Sequence, residues 1–292
     1  MSYRILDEKQ LSGSVFEMTI DAPDIARKAG AGQFFMLRVN ECGERVPFTL
    51  SDWSAEEGWI RFVFMRVGKT TNLLRHLNKN DCLCDVAGPM GHPSPVDEDA
   101  SWTAEKSIVA GDHVVVVGGG VATATAYPVA RAAVEAGSKV TVIIGARNEE
   151  LLILQDKLKD LDLNELIIVT DDGSSGREGL VTEPLRALCA SGEVDRVFVV
   201  GPAIMMKFCA LTTAEYNVPT LASLNPIMVD GTGMCGACRI QVGGETKFGC
   251  VDGPDFDAHL VDWEELMTRQ RVYAEQERLA DGEYIRTCDC NG

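Results

Sequence analysis

Three cysteines in a glycine-rich stretch have the spacing of a metal-binding loop. Cys235 and Cys238 form a C-x2-C pair, and Cys250 follows after eleven further residues. The glycines around them let the backbone wrap closely and point N–H groups at sulfur. Plant-type [2Fe–2S] sites read C-x4-C-x2-C, and Asp230 stands where the first of those cysteines would be. The spacing therefore predicts a [2Fe–2S] cluster held by Asp230, Cys235, Cys238 and Cys250.

Two other interpretations of this loop, and one other ligand set, stay open. Three cysteines and one aspartate could hold structural zinc, but zinc sites usually use two C-x2-C pairs or histidine, and no histidine lies within the stretch. A disulfide is possible, but it fits poorly with a chain that shows no secretory signal. Cys288 or Cys290 near the C-terminus could also replace Asp230 as the fourth ligand.

Length and charge limit the classes of protein that this chain can belong to. A chain of 292 residues can form two domains and a small third lobe. The net charge of -17 argues against nucleic-acid binding, which needs a basic surface. No apolar run approaches the roughly 20 residues of a membrane helix. The charged N-terminus and the ten cysteines predict a protein of the reducing cytoplasm.

Residues 1–98 have the pattern of a small closed β barrel. Apolar and polar residues alternate at 16–20, 33–39 and 59–65, and turn residues separate these runs. Two segments within it have residue types suited to a nucleotide. Arg45 could bind a pyrophosphate, and Thr49 or Ser51 could donate a hydrogen bond to a ring nitrogen. Val67–Thr71 leads into a predicted helix at 70–77, whose N-terminus favours a phosphate.

Residues 99–225 have the pattern of a doubly wound α/β domain. The continuous apolar run Val114–Val117 predicts a parallel strand that is buried on both faces. Gly118–Gly120 follows it directly and would let a dinucleotide approach a helix N-terminus. Strands and helices are predicted to alternate from there to Val200, with one helix predicted at 149–161. Asp171, Asp172, Gly201 and Pro202 would lie at the carboxyl ends of later strands, and Arg147 follows the second strand.

The remainder divides into a cluster lobe at 226–262 and a C-terminal helix and tail at 263–292. Leu260, Trp263, Leu266 and Met267 form an apolar stripe there. Such a stripe either packs on the core of its own chain or docks a partner.

Six segments together resemble the ferredoxin–NADP reductase superfamily. They are RVPFTLSD (45–52), VGKTT (67–71), VVGGG (116–120), TDDGS (170–174), LNPIMVDGTGMCGACR (224–239) and FGCVDGP (248–254). Within that superfamily the chain resembles the electron-transfer subunit of dihydroorotate dehydrogenase. It resembles still more the small subunit of NADH-dependent reduced ferredoxin:NADP oxidoreductase, also called sulfide dehydrogenase. Asp230 favours the second, because the first has cysteine there.

The resemblance implies FAD in the barrel, NAD(H) in the α/β domain and a [2Fe–2S] cluster in the lobe. It implies that Thr49 and Ser51 contact the flavin N5 region as the catalytic residues. The implied flavin-binding residues are Arg45, Pro47, Phe48, Thr49, Leu50, Ser51, Val67, Gly68, Thr70 and Thr71. The implied nicotinamide-binding residues are Gly119, Gly120, Val121, Asp171, Asp172, Gly201 and Pro202. Ala122, Thr125 and Val200 depart from the residues that the family often has at those positions.

The implied function is an oxidoreductase subunit that moves a hydride between NAD(H) and FAD, and single electrons between FAD and the cluster. The resemblance also implies a larger partner subunit with another FAD and [4Fe–4S] clusters, in which flavin-based bifurcation couples NAD(H), NADP(H) and, indirectly, ferredoxin. The alternatives are a subunit of an NAD-dependent dihydroorotate dehydrogenase and a non-catalytic electron carrier. The sequence leaves open the partner, the direction of electron flow and the choice between NADH and NADPH.

Overall fold

The protein is described by a computed structural model that covers residues 3–96 and 107–289, with side chains described as far as residue 282. The boundary predicted between residues 98 and 99 lies outside the described residues. So do Cys290 and the side chain of Cys288, and their part in a cluster stays a prediction.

The first part of the chain forms eight strands and two short helices. The strands are β1 (Tyr3–Gln10), β2 (Val15–Asp21), β3 (Phe34–Arg38), β4 (Arg45–Thr49), β5 (Asp52–Ser54), β6 (Trp59–Met65), β7 (Cys82–Leu83) and β8 (Asp85–Met90). The helices are α1 (Pro23–Ala26) and α2 (Lys69–Arg75), so the helix predicted at 70–77 is present.

These strands form two antiparallel sheets around a phenylalanine core. One sheet has the order β5-β6-β2-β1-β7 and the other β4-β3-β8. Phe35 and Phe48 from the smaller sheet meet Phe62 from the larger one, with ring centroids 5.1 to 6.3 Å apart. Alternation along each strand supplies this core, because every second side chain faces the opposite sheet. Within the described residues the predicted barrel is thus two packed sheets, without a continuous ring of paired strands.

The second part alternates strands and helices before a small hairpin and two final helices. Its strands are β9 (His113–Gly119), β10 (Lys139–Ala146), β11 (Glu165–Thr170), β12 (Arg177–Glu178), β13 (Arg196–Val200), β14 (Thr220–Ser223), β15 (Arg239–Val242), β16 (Glu245–Phe248) and β17 (Asp255–Asp257). Its helices are α3 (Thr123–Glu135), α4 (Gln155–Lys159), α5 (Thr182–Ala190), α6 (Ala203–Ala214), α7 (Trp263–Arg269) and α8 (Ala274–Asp289).

A seven-stranded sheet with the order β12-β11-β10-β9-β13-β14-β17 organises this part. All its pairs are parallel except β14 with β17. Every residue of β9 is buried, as the apolar run predicts for a central strand. The chain adds β10 and β11 on one side of β9 and then β13 and β14 on the other. The predicted doubly wound fold is therefore confirmed, and its topological switch point lies at the carboxyl end of β9.

Two helices differ from the sequence prediction. The single helix predicted for residues 149–161 is wrong: a short turn at Glu149–Leu151 ends before α4, because Leu154 adopts a left-handed backbone with φ of 57°. Helix α6 was not predicted from the sequence. Apolar residues lie on its exposed as well as its buried side, since Ile204, Phe208 and Leu211 remain about half exposed, so no clear helical period marks it.

The C-terminal segments pack onto both preceding parts. Trp263 and Leu266 are buried against the seven-stranded sheet, whereas Leu260 is exposed, so most of the predicted apolar stripe packs on its own core. Helix α8 contacts α2, where Asn72 Nδ2 donates to Asp281 Oδ1 over 2.8 Å. None of the helices in the described ranges combines the length and the apolar character needed to span a bilayer.

A group of charged side chains joins the two-sheet domain to the α/β domain. Asp52 lies 2.8 Å from Arg131 and 3.5 Å from Lys157, both of which belong to the α/β domain. Arg61 contacts Asp52 from its own domain over 3.3 Å. The Arg131 guanidinium also lies over the ring of Trp53 at 5.1 Å. Because these groups are mostly buried, each charge depends on its partners for the solvation that it has lost.

We expect the substitution Arg131→Gln to lower the free energy of unfolding by about 1–3 kcal/mol, because Asp52 keeps its charge and loses its nearest partner. Urea denaturation followed by circular dichroism measures this change. Arg186→Gln is the control, since the Arg186–Glu215 pair is exposed and should contribute nothing measurable. Equal stability of Arg131→Gln and the wild type would contradict this role of the group.

Candidate functional site

A cavity of about 970 Å³ lies between the two-sheet domain, the carboxyl edge of the seven-stranded sheet and the loop before β15. Side chains from all three regions line it, and most of them are apolar. Its ionisable lining residues are Arg147 and Asp171, which follow β10 and β11. A cavity of this size, with apolar walls and few polar groups, has the usual character of a cofactor site.

Five of the flavin residues predicted from the sequence line this cavity. They are Pro47, Phe48, Thr49, Val67 and Thr71. The Thr71 hydroxyl oxygen accepts the backbone N–H groups of Val67 and Gly68 over 3.0 and 3.1 Å, which fixes the turn before α2.

The other predicted flavin residues lie outside the cavity lining. Arg45 on β4 pairs with Asp85 on β8, across the intervening strand β3, and Thr70 donates to Glu44 over 3.1 Å. Leu50 is fully buried in the core of the two-sheet domain. Ser51 is also buried, and its hydroxyl donates to the carbonyl of Arg61 over 3.0 Å. Of the two predicted catalytic hydroxyls, the structure therefore places Thr49 at the cavity and Ser51 behind its wall.

The nicotinamide residues predicted from the sequence gather at the switch point of the α/β sheet. Gly119 ends β9 and Gly120 and Val121 follow it, Gly201 and Pro202 follow β13, and all five line the cavity together with Asp171. Asp172 does not line it, and its Oδ1 instead accepts from the backbone N–H and the hydroxyl of Ser174. The pKa of Asp172 is lowered by these hydrogen bonds, so its carboxylate holds the turn.

Close backbone approach explains two of these glycines. A Cβ on Gly119 would lie 2.5 Å from the Met205 sulfur, and one on Gly201 would lie 3.3 Å from the Cα of Gly119. A larger residue at either position would displace the Met205 side chain, and one at Gly201 would also press on the backbone of Gly119. Ala122 and Thr125, the residues that depart from the family pattern, also line the cavity.

Several lining residues were not assigned from the sequence. Phe34 lies on β3, Ser223 ends β14, and Pro226, Met228 and Pro254 belong to the segments around the cysteine loop. Leu180, Ile204 and Phe208 line the α/β side with large exposed apolar surfaces. The NPIM segment was a signal for Pro226 and Met228, but apolar residues of a loop do not show from the sequence which wall they form.

The cysteine loop brings two of its thiols into contact. Cys238 and Cys250 are buried, and their sulfurs are 3.2 Å apart, which is too far for a disulfide of about 2.05 Å. Cys235 is exposed. Asp230 accepts the backbone N–H groups of Thr232 and Cys235 over 2.8 and 3.0 Å. Across the described residues no three His, Cys, Asp or Glu side chains converge at metal-ligand spacing.

The chemistry of this loop nevertheless fits an iron–sulfur cluster. Gly231 and Gly233 have φ of 78° and 81°, and a Cβ on Gly231 would lie 2.5 Å from the Met90 sulfur. The Gly233 N–H donates to the Cys250 sulfur, as cluster loops require. Burial and the adjacent Cys238 thiol raise the pKa of Cys250, whereas hydrogen bonds from Thr232 and Cys235 lower the pKa of Asp230. Iron would deprotonate such thiols on binding.

A thin layer of side chains separates the cysteine loop from the cavity. Phe34, Met36 and Met228 pack against Cys238 and Cys250 in one small core, and Phe34 and Met228 also line the cavity. The thiols thus lie directly behind the cavity wall, in a position suited to electron exchange with a group inside it.

Two family models match the chain. Residues 225–262 match the iron–sulfur cluster binding domain of dihydroorotate dehydrogenase B. Residues 116–210 match the oxidoreductase NAD-binding domain. The first match covers the cysteine loop and β17, and the second covers the switch point from β9 to α6.

Relatives match over almost the whole chain. The dihydroorotate dehydrogenase B (NAD(+)) electron transfer subunit homolog of Thermotoga maritima is 43% identical over 283 residues, 97% of this chain and 95% of the relative. A probable electron transfer subunit of the same enzyme from Methanocaldococcus jannaschii is 31% identical over 87% of each chain.

Solved structures agree with this placement. A chain from the structure of NADH-dependent reduced ferredoxin-NADP oxidoreductase, a flavin-based electron bifurcation system, has a TM-score of 0.88 and 42% identity over 98% of both chains. The ferredoxin reductase of carbazole 1,9a-dioxygenase has a TM-score of 0.61 at 16% identity, over 75% of this chain and 66% of that one, and shows the fold alone.

These comparisons confirm the ferredoxin reductase-like fold, the cofactor classes of flavin, nicotinamide and iron–sulfur, and the role of an oxidoreductase subunit in a larger complex. The chain belongs to the family of dihydroorotate dehydrogenase B electron-transfer subunits and their homologs.

Proposed function

We propose that this chain passes a hydride between NAD(H) and FAD, and single electrons between FAD and a [2Fe–2S] cluster, within a complex that couples NAD(H), NADP(H) and ferredoxin. One observation carries the proposal. A single cavity is lined by the predicted flavin segments, by the predicted nicotinamide loop and by side chains that cover the cysteine loop.

The two-sheet domain supplies the flavin half of this cavity. FAD, when bound, can take up a hydride and release its electrons singly, which is chemistry that side chains lack. Pro47 and Phe48 would form an apolar contact surface for the flavin ring. The adjacent Thr49 would supply a hydroxyl group to the same part of the cavity. The turn held by Thr71 presents backbone N–H groups at the start of α2, where a phosphate would be favoured. Arg45, exposed at the edge of this domain, stays a candidate partner for the pyrophosphate.

The α/β domain supplies the nicotinamide half. Gly119 and Gly120 let a dinucleotide approach the carboxyl end of β9, and Gly201 with Pro202 bounds the same opening. Asp171 lies at the cavity after β11, where its carboxylate can accept hydrogen bonds from ribose hydroxyls.

The cysteine loop would hold the cluster through Cys235, Cys238, Cys250 and Asp230. Loop glycines direct backbone N–H groups toward sulfur, which stabilises the thiolate form. Phe34 and Met228 exclude water between the loop and the cavity.

Partner and location extend the same proposal. The chain would pair with a larger subunit that carries another FAD and [4Fe–4S] clusters, as the family resemblance implies. A chain 42% identical to it comes from a structure of a flavin-based electron bifurcation system. Ferredoxin would then exchange electrons indirectly. Eight described cysteines are free, which supports a reducing, cytoplasmic setting.

A second candidate is the electron-transfer subunit of an NAD-dependent dihydroorotate dehydrogenase. The names of the relatives and of the cluster-domain family favour it. Asp230 favours the first candidate, since the resemblance places cysteine there in the second.

Anaerobic purification followed by iron, sulfide and flavin analysis tests the proposal. We expect two irons, two sulfides and one FAD per chain, and a [2Fe–2S] electron paramagnetic resonance signal on reduction by either dithionite or NADH. Zinc without sulfide, or the absence of flavin, would contradict it. Copurification with a larger flavin and [4Fe–4S] subunit, or with an FMN-binding dihydroorotate dehydrogenase, distinguishes the two candidates.

Replacing either buried thiol should remove the cluster and leave the flavin. We expect the iron content per chain to fall more than about tenfold in Cys238→Ser and in Cys250→Ser, because thiolate ligands bind the iron directly. The flavin-to-protein ratio serves as the check on folding. Cys42→Ser, an exposed cysteine of the two-sheet domain, should keep full iron content. Iron at wild-type level in both loop variants would exclude these ligands.

The fourth ligand has its own test. If Asp230 binds iron, Asp230→Cys should retain two irons per chain and shift both the resonance signal and the potential of the cluster, because thiolate donates more charge than carboxylate. Cys288→Ser and Cys290→Ser should leave both unchanged. An unchanged signal in Asp230→Cys, with loss of iron in a tail variant, would assign the ligand to the tail.

A further inference from the structure

A buried carboxyl group lies at the junction of the three regions that form the cavity. Asp255 is the first residue of β17, is 0% exposed, and pairs with Ser223 across the β14–β17 ladder. Ser94, from the segment after β8, donates its hydroxyl to Asp255 Oδ2 over 2.5 Å. Ser223 and Pro254, the residue before Asp255, both line the cavity. The carboxyl group thus lies immediately behind the cavity wall.

One oxygen of this carboxyl group lacks a well-formed hydrogen bond. Asp255 Oδ1 has no partner at normal hydrogen-bond geometry among the described residues. The Ser223 hydroxyl is the neighbouring donor, close enough to lower the pKa of Asp255. Complete burial raises the pKa of Asp255 to about 6, against the opposing effects of the Ser94 and Ser223 hydroxyls. A buried carboxylate oxygen without a well-formed hydrogen bond costs stability, and its place behind the cavity wall points to a functional role.

Outside its α/β side, the described cavity wall has no ionisable group that could accept a proton. A hydride carries two electrons and one proton, whereas iron–sulfur clusters accept single electrons. Each hydride that is converted into single electrons therefore leaves one proton in the site. The ionisable lining residues, Arg147 and Asp171, both lie on the α/β side, and the rest of the described lining is apolar side chains, glycines, hydroxyls and one amide.

We propose that Asp255 is a positioning residue that takes up this proton through the Ser223 hydroxyl and later releases it to water. In the transfer, the Ser223 oxygen accepts a proton from the cavity as its own O–H proton passes to the Asp255 carboxylate. One O–H bond forms on Asp255, one bond to hydrogen breaks in the cavity, and no electrons move. The inference rests on the proposed function, because it requires hydride chemistry in this cavity.

Few other titratable groups face Asp255. In the segment around Asp255 itself, Asp252 accepts the backbone N–H of Phe248, and Asp257 accepts the backbone N–H of His259. On the segment of Ser94, His92 donates its backbone N–H to Gly253. Strand β14 carries no ionisable residue, and neither does the Ala31–Gln33 segment that packs on Ser94. Asp255 is thus the buried acid of this junction.

A first test needs no cofactor. Because the pKa of Asp255 is higher in the folded chain than in the unfolded one, its contribution to stability is full below about pH 4 and is lost as pH rises through about 6. The melting temperature of the wild type should therefore fall relative to Asp255→Asn across this window. Asp257→Asn, on the same strand, should track the wild type. A constant difference between wild type and Asp255→Asn would overturn the assignment of this titration.

A second test uses the loaded protein. Anaerobic stopped-flow mixing with NADH follows cluster reduction at pH 5–8, with NADH affinity measured separately. We expect the wild-type rate to rise with an inflection near pH 6, and Asp255→Asn to be slower on the order of 100-fold at pH 7, without the inflection and with unchanged NADH affinity. Asp257→Asn should behave as the wild type.

Ser223→Ala separates the relay from the fold. It should slow cluster reduction about tenfold or more. It should also move the fall in the melting temperature to higher pH, because Asp255 stays buried and loses the Ser223 hydroxyl that lowers its pKa. Wild-type rates and pH profile in Asp255→Asn would overturn the inference while leaving the proposed function intact. Absence of NADH-driven cluster reduction in the wild type itself would instead overturn the proposed function.

Discussion

The close contact between the ends of β9 and β13 is the constraint on which the site depends. Gly119 and Gly201 approach so closely that a single Cβ on either would meet Met205 or the neighbouring backbone. The contact lies at the carboxyl edge of the sheet, where the strand order reverses on either side of β9. The nicotinamide loop and the start of α6 meet at this point and border the cavity, because parallel strands deliver their loops to one edge.

The site also requires that the two-sheet domain be held in one orientation against that edge. Charged side chains between the two domains contribute to this orientation. Asp52 binds Arg131 and Lys157 from the other domain in a largely buried setting. Ion pairs of this kind add little stability compared with apolar contacts, but they favour one register, since any other arrangement would bury unpaired charge. The fixed orientation is what lets Pro47–Thr49 face Gly119–Val121 across one cavity.

The cysteine loop joins the rest through apolar contact and through β17. Phe34, Met36 and Met228 cover the two buried thiols, and β17 extends the α/β sheet by one antiparallel strand. The lobe is therefore continuous with the sheet. That continuity buries Asp255 between Ser94 and Ser223, so one carboxyl group contacts the two-sheet domain and the α/β domain at once.

Local patterns by themselves determined much of this protein. The apolar run Val114–Val117 fixed a buried strand, the glycines after it fixed the turn, and the spacing of Cys235, Cys238 and Cys250 fixed the chemistry of the loop, because each signal depends on neighbours in sequence. Tertiary structure alone decided which hydroxyl reaches the cavity: Thr49 does, whereas Ser51 bonds to Arg61. It also decided the wall formed by Met228 and Ser223, the break at Leu154, and the burial of Asp255. These depend on contacts between segments far apart in the chain, for which sequence carries no local period.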